Sequence, residues 1–276
     1  MEFIEILKAI VQGIVQGITE WLPISSTGHI LLLDTVWKMQ VSPAFFDVFK
    51  VVIQLGSILA VLVLYFHKLN PFSPKKTGEE KKGTWVLWSK VLVASIPAAV
   101  AGLLLDDIID EKLSVPLVIA VALVVYGIAF IIMESRQKQA KVENLSDLTY
   151  KHALGIGAFQ MLALIPGTSR SGSTILGATL TGASRTVAAE FSFFMAIPVM
   201  LGASLLKVLK FVMEGLSFTT LEWIILAVGT VVSFAVSVVV IRFLMAFIKK
   251  HDFKPFGWYR IALGALILLL LAFKVL

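Results

Sequence analysis

The sequence contains no cysteine and few charged residues. Without cysteine, the 276-residue chain can form neither disulfides nor thiolate metal sites, and it has no thiol nucleophile. Asp, Glu, Lys and Arg make up only 15% of the residues, against about 25% in soluble domains, whereas 58% are hydrophobic. This composition excludes a soluble domain with a large core and predicts an integral membrane protein.

Six apolar segments are long enough to cross a bilayer, which requires about 20 residues of helix. They are Ala44–Phe66, Trp85–Leu105, Leu113–Met133, Thr186–Leu206, Leu221–Phe247 and Phe256–Leu276. The net charge of +6 comes from basic residues in short links, a distribution typical of cytoplasmic loops and not of a nucleic-acid site. The N-terminus lacks a basic region and a small-residue cleavage site, so we expect no cleaved signal peptide.

The charges of the links predict how the spans are oriented. Three links are rich in Lys and Arg and are placed in the cytoplasm. They are residues 67–84, the run with Arg136, Lys138, Lys141 and Lys151, and residues 249–260, KKHDFKPFGWYR. The mostly acidic link Asp106–Lys112 and the mixed link Lys207–Glu222 are placed outside. Residues 1–43 must then begin and end outside, and residues 152–185 must begin and end in the cytoplasm.

Both of these stretches are apolar but interrupted by Pro, Gly, Ser and Thr, which predicts re-entrant hairpins entering from opposite sides. The predicted fold is an all-α polytopic membrane protein with six transmembrane helices and two re-entrant helical hairpins in an inverted-topology repeat. The first repeat covers residues 1–151 and the second residues 152–276. Pro23 precedes Ser26 by three residues, as Pro166 precedes Ser169. The alternative is two ordinary spans whose agreement is accidental.

The first polar insert runs from Glu20 to His29. Gln16 and Glu20, four residues apart, share one face of the preceding helix. Pro23 ends that helix, and the Ser-Ser-Thr-Gly turn begins the next one with exposed N–H groups. A carboxylate deep in the membrane costs about 2.5–3.5 kcal/mol, so Glu20 needs a partner or a function. The alternative is that Glu20 caps the following backbone and His29 lies at the membrane interface.

The second polar insert, Pro166–Thr174, has the composition of an anion site. Its two glycines allow close backbone approach, and hydroxyls and helix-start N–H groups can surround an anion. Arg170 adds a permanent charge and a fork that matches phosphate oxygens. The alternative is an Arg–Glu pair that locks the two hairpins together, and both arrangements can hold at once. The two inserts together predict a phosphate-handling site.

Other polar residues are expected to have structural roles. Asp47 and Lys50 are spaced for a local ion pair, and Glu190 is expected to cap or pair. His29 is the only histidine predicted at membrane depth, which argues against a zinc site built on several histidines.

The strings QGITEWLPISSTGH and PGTSRSGST, with FDVFKVVIQLGS between them, closely resemble the bacterial undecaprenyl-diphosphate phosphatase family, the bacitracin-resistance proteins. The resemblance extends from the N-terminus to the last span. It implies hydrolysis of the C55 prenyl diphosphate to the monophosphate, which recycles the carrier lipid for cell-wall synthesis. It also implies a bacterial plasma membrane location with an outward-facing site. Lipid phosphatases of the PAP2 type are excluded, because no histidine follows Ser184-Arg185 in TVAAEF.

Carried over by position, the resemblance assigns catalysis to Glu20, Ser26, His29 and Arg170, and substrate binding to Ser25, Thr168, Ser169, Ser171 and Thr174. It further implies a divalent cation, Mg²⁺ or Ca²⁺, with Glu20 as a ligand. Gln16 stands where relatives often have a second glutamate, so Gln16 is a weaker ligand and the site has fewer anionic groups. The expected partners are a prenyl diphosphate lipid, membrane lipid and a second copy in a homodimer, with no nucleic acid.

The sequence leaves the mechanism open. Either Ser26 attacks phosphorus with His29 or Glu20 as the base, or a water attacks and Ser26 only binds; Ser26 is the preferred nucleophile. A transporter or flippase for a phosphorylated prenyl lipid is the alternative function, because inverted repeats with broken helices are common in transporters. The set of Ser26, His29 and Glu20 favours an enzyme, since transport alone does not require it.

Overall fold

A computed structural model describes residues 2–136 and 139–276, with only the backbone for residues 106–108, 110 and 111. Lys138 of the predicted cytoplasmic link, and the acidic side chains of the predicted outer link at 106, 107, 110 and 111, lie outside this description. The described α-helices are α1 (Glu2–Thr19), α2 (Ser26–Val36), α3 (Pro43–Leu64), α4 (Phe66–Leu69), α5 (Gly78–Ile108), α6 (Pro116–Ser135), α7 (Tyr150–Met161), α8 (Arg170–Leu180), α9 (Arg185–Met213), α10 (Thr220–Ile248) and α11 (Lys254–Ala272).

Shorter helical segments complete the fold. A π-helical turn, Ile109–Leu113, follows α5, and 3₁₀ turns cover Leu145–Asp147 and Leu162–Leu164. Within residues 2–136 and 139–276, β-structure is limited to one isolated bridge between Val142 and Ala183. The all-α prediction is therefore confirmed.

Six of the described helices are long and apolar enough to cross a membrane: α3, α5, α6, α9, α10 and α11. They confirm the six predicted spans, and the protein is a multi-pass membrane protein. Two helices extend beyond the prediction, since α5 begins at Gly78 and α9 continues to Met213. The first turns of α5 contain Glu and Lys, which favour helix although they are not apolar, so hydropathy alone does not detect them.

Four of the remaining helices, all except the short α4, form two pairs at the positions of the predicted hairpins. Helix α1 packs against α2, and α7 packs against α8. The pairs also have equivalent neighbours, because α1 lies along α10 and α7 lies along α5. The two halves thus share an element order, while the direction in which each pair enters the membrane stays a prediction.

Three pairs of like residues, one of each pair in each half, share one separation in the sequence. It relates Ser25 to Ser169, the residues that precede α2 and α8 and share a φ of 72°. The same separation relates Gln16 to Gln160 and Gly28 to Gly172. This register differs by one residue from the register suggested by the prolines, because α2 begins sooner after Pro23 than α8 does after Pro166.

Small residues allow α3 and α10 to pack closely. A Cβ at Gly56 would lie 2.2 Å from the carbonyl oxygen of Thr230, so the two backbones are nearly in contact. Beside it, buried Ser57 hydrogen-bonds to Ser233 at 2.8 Å and accepts from Ser237 at 3.0 Å. Close approach at small residues, with hydroxyls bonded across helices, is a common way for membrane helices to associate.

We expect Gly56→Ala to destabilise the protein and to lower its Tm in detergent. The added methyl group must push α3 away from α10, and such overpacking costs about 1–3 kcal/mol. The control is Gly202→Ala in α9, where a Cβ meets nothing within 4 Å, so its Tm should be unchanged or higher. Equal Tm values for the two variants would contradict this packing.

Candidate active site

Two short loops meet where α2 and α8 begin. The N-cap residues Ser25 and Ser169 both lie at φ 72°, in the left-handed region that residues other than glycine seldom adopt. Ser169 Oγ accepts a hydrogen bond from the N–H of Gly172 at 3.1 Å, whereas Ser25 Oγ is buried without a hydrogen-bond partner in the described protein. Such strained backbone is found disproportionately at functional sites.

A salt bridge joins the two loops. Arg170 Nη2 donates to Glu20 Oε1 at 2.9 Å, and the two side chains are only 12% and 5% exposed. The second carboxylate oxygen of Glu20 accepts from Gln16 Nε2 at 2.9 Å, so Glu20 has two partners. Arg170 Nη1 donates to the carbonyl oxygen of Ser192 at 2.7 Å. The predicted alternative of an Arg–Glu pair is thus present, and it holds both residues at one cavity.

That cavity has a volume of about 180 Å³. Four residues predicted for the site line it together: Glu20, Ser26, Ser169 and Arg170. Its apolar lining includes Val199, Met200 and Ala203 of α9. Because pockets for drug-sized ligands are roughly 300–1,000 Å³, this cavity suits a polar headgroup and not a whole long-chain lipid.

His29 is held by partners at both ring nitrogens. Nδ1 lies 2.7 Å from the carbonyl oxygen of Ser25, and Nε2 lies 2.7 Å from the hydroxyl of Tyr259, whose ring stacks on the imidazole. Since a carbonyl oxygen only accepts, we assign the proton of the neutral ring to Nδ1, and Nε2 then accepts from Tyr259. To act as a base, His29 would have to exchange Tyr259 for another partner.

Most hydroxyls of the second insert shape the loops. Ser171 Oγ donates to the carbonyl oxygen of Glu20 at 2.9 Å. Thr168 Oγ1 donates to two carbonyls of the preceding turn at 2.8 and 2.9 Å, and Thr174 Oγ1 donates to the carbonyl four residues before it at 2.9 Å. Among the predicted substrate-binding residues, Ser169 lines the cavity; the binding roles of all five stay predictions.

The oxygen atoms of Glu20 and Gln16 are of the type that hard cations prefer. Among the described residues, no group of three or more His, Cys, Asp or Glu side chains is placed to hold a metal. Gln16 Oε1 is buried and has no hydrogen-bond partner in the described protein. One carboxylate and one amide oxygen fit a hard cation such as Mg²⁺, which commonly takes its other ligands from substrate phosphates and water.

The sequence reasoning missed Arg260 by grouping it with a cytoplasmic link. Arg260 also falls in the predicted last span, and in the structure it lies in the second turn of α11 with its side chain fully buried. It donates to the carbonyls of Pro23, Gly167 and Thr168, one in the first loop and two in the second. An arginine directly before the apolar run IALGALILLL was the available signal.

The predicted ion pair between Lys50 and Asp47 is confirmed, at 2.8 Å. Glu190, expected to cap or to pair, forms an ion pair with Lys68 at 2.6 Å, a partner that the sequence did not identify. A further pair joins Arg185 to Glu134 at 2.6 Å and links α9 to α6.

Known proteins match almost the whole chain. The family model described as "Bacitracin resistance protein BacA" matches residues 9–266. An undecaprenyl-diphosphatase of Enterococcus faecalis is 60% identical over 97% of this chain and 98% of that protein. A protein of Lactiplantibacillus plantarum with the same name is 58% identical, over 96% of this chain and 97% of its own length. Undecaprenyl-diphosphatase 1 of Clostridioides difficile is 60% identical over 96% of each chain. This chain therefore belongs to the BacA family of bacitracin resistance proteins.

Proposed function

We propose that this protein hydrolyses undecaprenyl diphosphate to undecaprenyl phosphate and inorganic phosphate. The observation that carries the proposal is the cavity that the paired Arg170 and Glu20 line together with Ser26, the first residue of α2. Relatives at 58–60% identity are named for the same diphosphatase activity. In this role the protein recycles the carrier lipid for peptidoglycan synthesis in the bacterial plasma membrane, with its site facing outward, and confers bacitracin resistance.

The site binds the diphosphate as an anion. Helices α2 and α8 both begin beside the cavity, and helix N-termini attract anions through exposed N–H groups and the helix dipole. Arg170 adds a guanidinium, which forms bidentate hydrogen bonds with phosphate oxygens. Glu20 competes for Arg170 in the resting site, so substrate binding must share or break this pair.

We assign Ser26 as the nucleophile and Glu20 as its base. Both line the cavity, whereas His29 is not among its lining residues. The one acceptor nitrogen of His29, Nε2, already accepts from Tyr259, while each carboxylate oxygen of Glu20 has a second lone pair. Ser26 Oγ forms a bond to the terminal phosphorus and passes its proton to Glu20. The bond from that phosphorus to the bridging oxygen breaks, and undecaprenyl phosphate leaves. Water then cleaves the phosphoserine and releases inorganic phosphate.

A divalent cation, Mg²⁺ or Ca²⁺, would be held by Glu20 and by the unpartnered Oε1 of Gln16. When bound, it supplies positive charge that neutralises the phosphate oxygens during phosphoryl transfer.

The prenyl tail extends from the cavity into the lipid. The cavity is too small for a C55 chain, and its lining at Val199, Met200 and Ala203 is apolar. Lateral access would let the diphosphate enter while the tail remains among membrane lipids.

We further propose that residues 1–151 and 152–276 are inverted repeats, since α1–α10 and α7–α5 pack equivalently.

The test is phosphate release from undecaprenyl diphosphate by the purified protein in detergent with Mg²⁺ or Ca²⁺. We expect steady release of one phosphate per lipid. The transporter alternative instead predicts movement of labelled lipid across proteoliposomes without phosphate release. No release with either cation would refute the enzyme proposal.

We expect Ser26→Ala to reduce turnover on the order of 10³-fold or more, as loss of a nucleophile commonly does. The variant should also lose a covalent phosphoenzyme that rapid acid quenching detects in the wild type by mass spectrometry. Thr27→Ala is the control, because Thr27 neighbours Ser26 and lines the same cavity. A Ser26→Ala variant within tenfold of the Thr27→Ala variant would favour attack by water.

A further inference from the structure

Among the described residues outside the two predicted motifs, Arg260 is the largest fully buried polar side chain. It reaches from α11 to both loops, with donor–acceptor distances of 3.0 Å to Pro23 O, 2.9 Å to Gly167 O and 2.8 Å to Thr168 O. Its guanidinium lies 5.4 Å from the ring centre of Tyr126. Gly167 lines the cavity, so Arg260 lies directly behind the cavity wall.

The charge of Arg260 is not balanced by a neighbouring carboxylate. In the described structure its hydrogen bonds go to backbone carbonyls, and Arg170 already holds Glu20. Glu20 is the only acidic residue in the two polar inserts, residues 20–29 and 166–174. The two inserts thus supply one carboxylate for two guanidinium groups, and that carboxylate pairs with Arg170. Because buried charges are normally paired, the site lacks one negative charge.

Neutral hydrogen-bond donors could have tied these carbonyls together. An arginine cannot lose its proton in a protein, so its use here keeps a permanent charge beside the cavity. A structural tie alone does not require that charge, whereas an anion site in a low-dielectric interior benefits from it.

We propose that Arg260 is a positioning residue that sets the shape of both loops and leaves a positive charge for the bound phosphate to neutralise. Its guanidinium fork holds the loop before α2 and the loop before α8 at a fixed separation. The anion completes the charge balance without touching Arg260. This inference rests on the proposed phosphatase function, because it takes a phosphate as the missing anion.

The experiment compares Arg260→Met, which removes the charge, with Arg260→Lys, which keeps the charge but loses the fork. The readouts are the Kd for inorganic phosphate, the kcat and KM for undecaprenyl diphosphate, and Tm. Arg260→Met should weaken phosphate binding at least about tenfold. Arg260→Lys should bind phosphate within about threefold of the wild type while its kcat falls at least about tenfold.

Arg185→Met is the matched control, because Arg185 also links helices but pairs with Glu134. It should lower Tm and leave the Kd for phosphate unchanged. The inference is overturned if folded Arg260→Met binds phosphate like the wild type, or if wild-type protein binds no phosphate. If Arg260→Met does not fold, the test rests on Arg260→Lys. The inference is then overturned if the phosphate affinity of Arg260→Lys falls by as large a factor as its kcat. A wild type that binds phosphate without hydrolysing the lipid would refute only the proposed function.

Discussion

Replacing Arg170 by alanine is expected to reduce phosphate release by about 10³–10⁵-fold, the range that an arginine contributes to phosphoryl transfer in other enzymes. Arg170 is the one charged side chain that reaches into the cavity from α8, and it contacts Glu20 at 2.9 Å. Its removal takes away the group that binds phosphate oxygens and holds Glu20 in position. The measurement is steady-state phosphate release from undecaprenyl diphosphate by the purified variant.

Stability must be separated from activity in this variant. Removing Arg170 leaves Glu20 as a buried carboxylate whose remaining hydrogen-bond partner among the described residues is Gln16, and breaking a buried pair typically costs about 3–5 kcal/mol. The double variant Arg170→Ala/Glu20→Gln removes the uncompensated charge, so its Tm should recover. Its activity should not recover. Near-normal turnover in folded Arg170→Ala would rule out the proposed phosphate-binding role.

Glu20→Gln is also expected to have a large effect, a fall in kcat of about 10²–10⁴-fold, as for the loss of a general base. The amide keeps the shape of Glu20 and an oxygen that can accept from Arg170. It removes the negative charge, the proton acceptor and the anionic metal ligand. Binding of inorganic phosphate should be retained or strengthened, because Arg170 no longer has a competing carboxylate. Phosphate release and phosphate affinity are measured on the same preparation.

The opposite changes in kcat and affinity make this prediction specific. A role for Glu20 in holding the loops together would lower Tm and weaken phosphate binding along with turnover. Glu190→Gln is the control. Glu190 also accepts a hydrogen bond in an ion pair, with Lys68, and its side chain is largely buried, but it does not line the cavity. It should leave both kcat and phosphate affinity within about threefold of the wild type.

The Glu20–Arg170 pair could be expected from the sequence as an alternative, because each was a charge in apolar sequence that needed a partner. The contact of His29 with Tyr259 could not be expected, since Tyr259 lies near the opposite end of the chain. The hydroxyls of Thr168, Ser171 and Thr174 match an anion site in composition. Their actual acceptors are backbone carbonyls, and those depend on local loop geometry that composition does not determine.

The sequence by itself determined the membrane class, the six spans and the positions of both polar inserts, because hydropathy over about 20 residues is a local property. It also identified the family, through two long motifs. Only the tertiary structure decided which polar groups meet. It gave Ser25 and Ser169 the same φ of 72°, and it brought Arg260 into contact with both loops. The contacts of Arg260 with Pro23 and Gly167 join residues that are distant in the sequence, so they depend on how the helices pack and not on any local pattern.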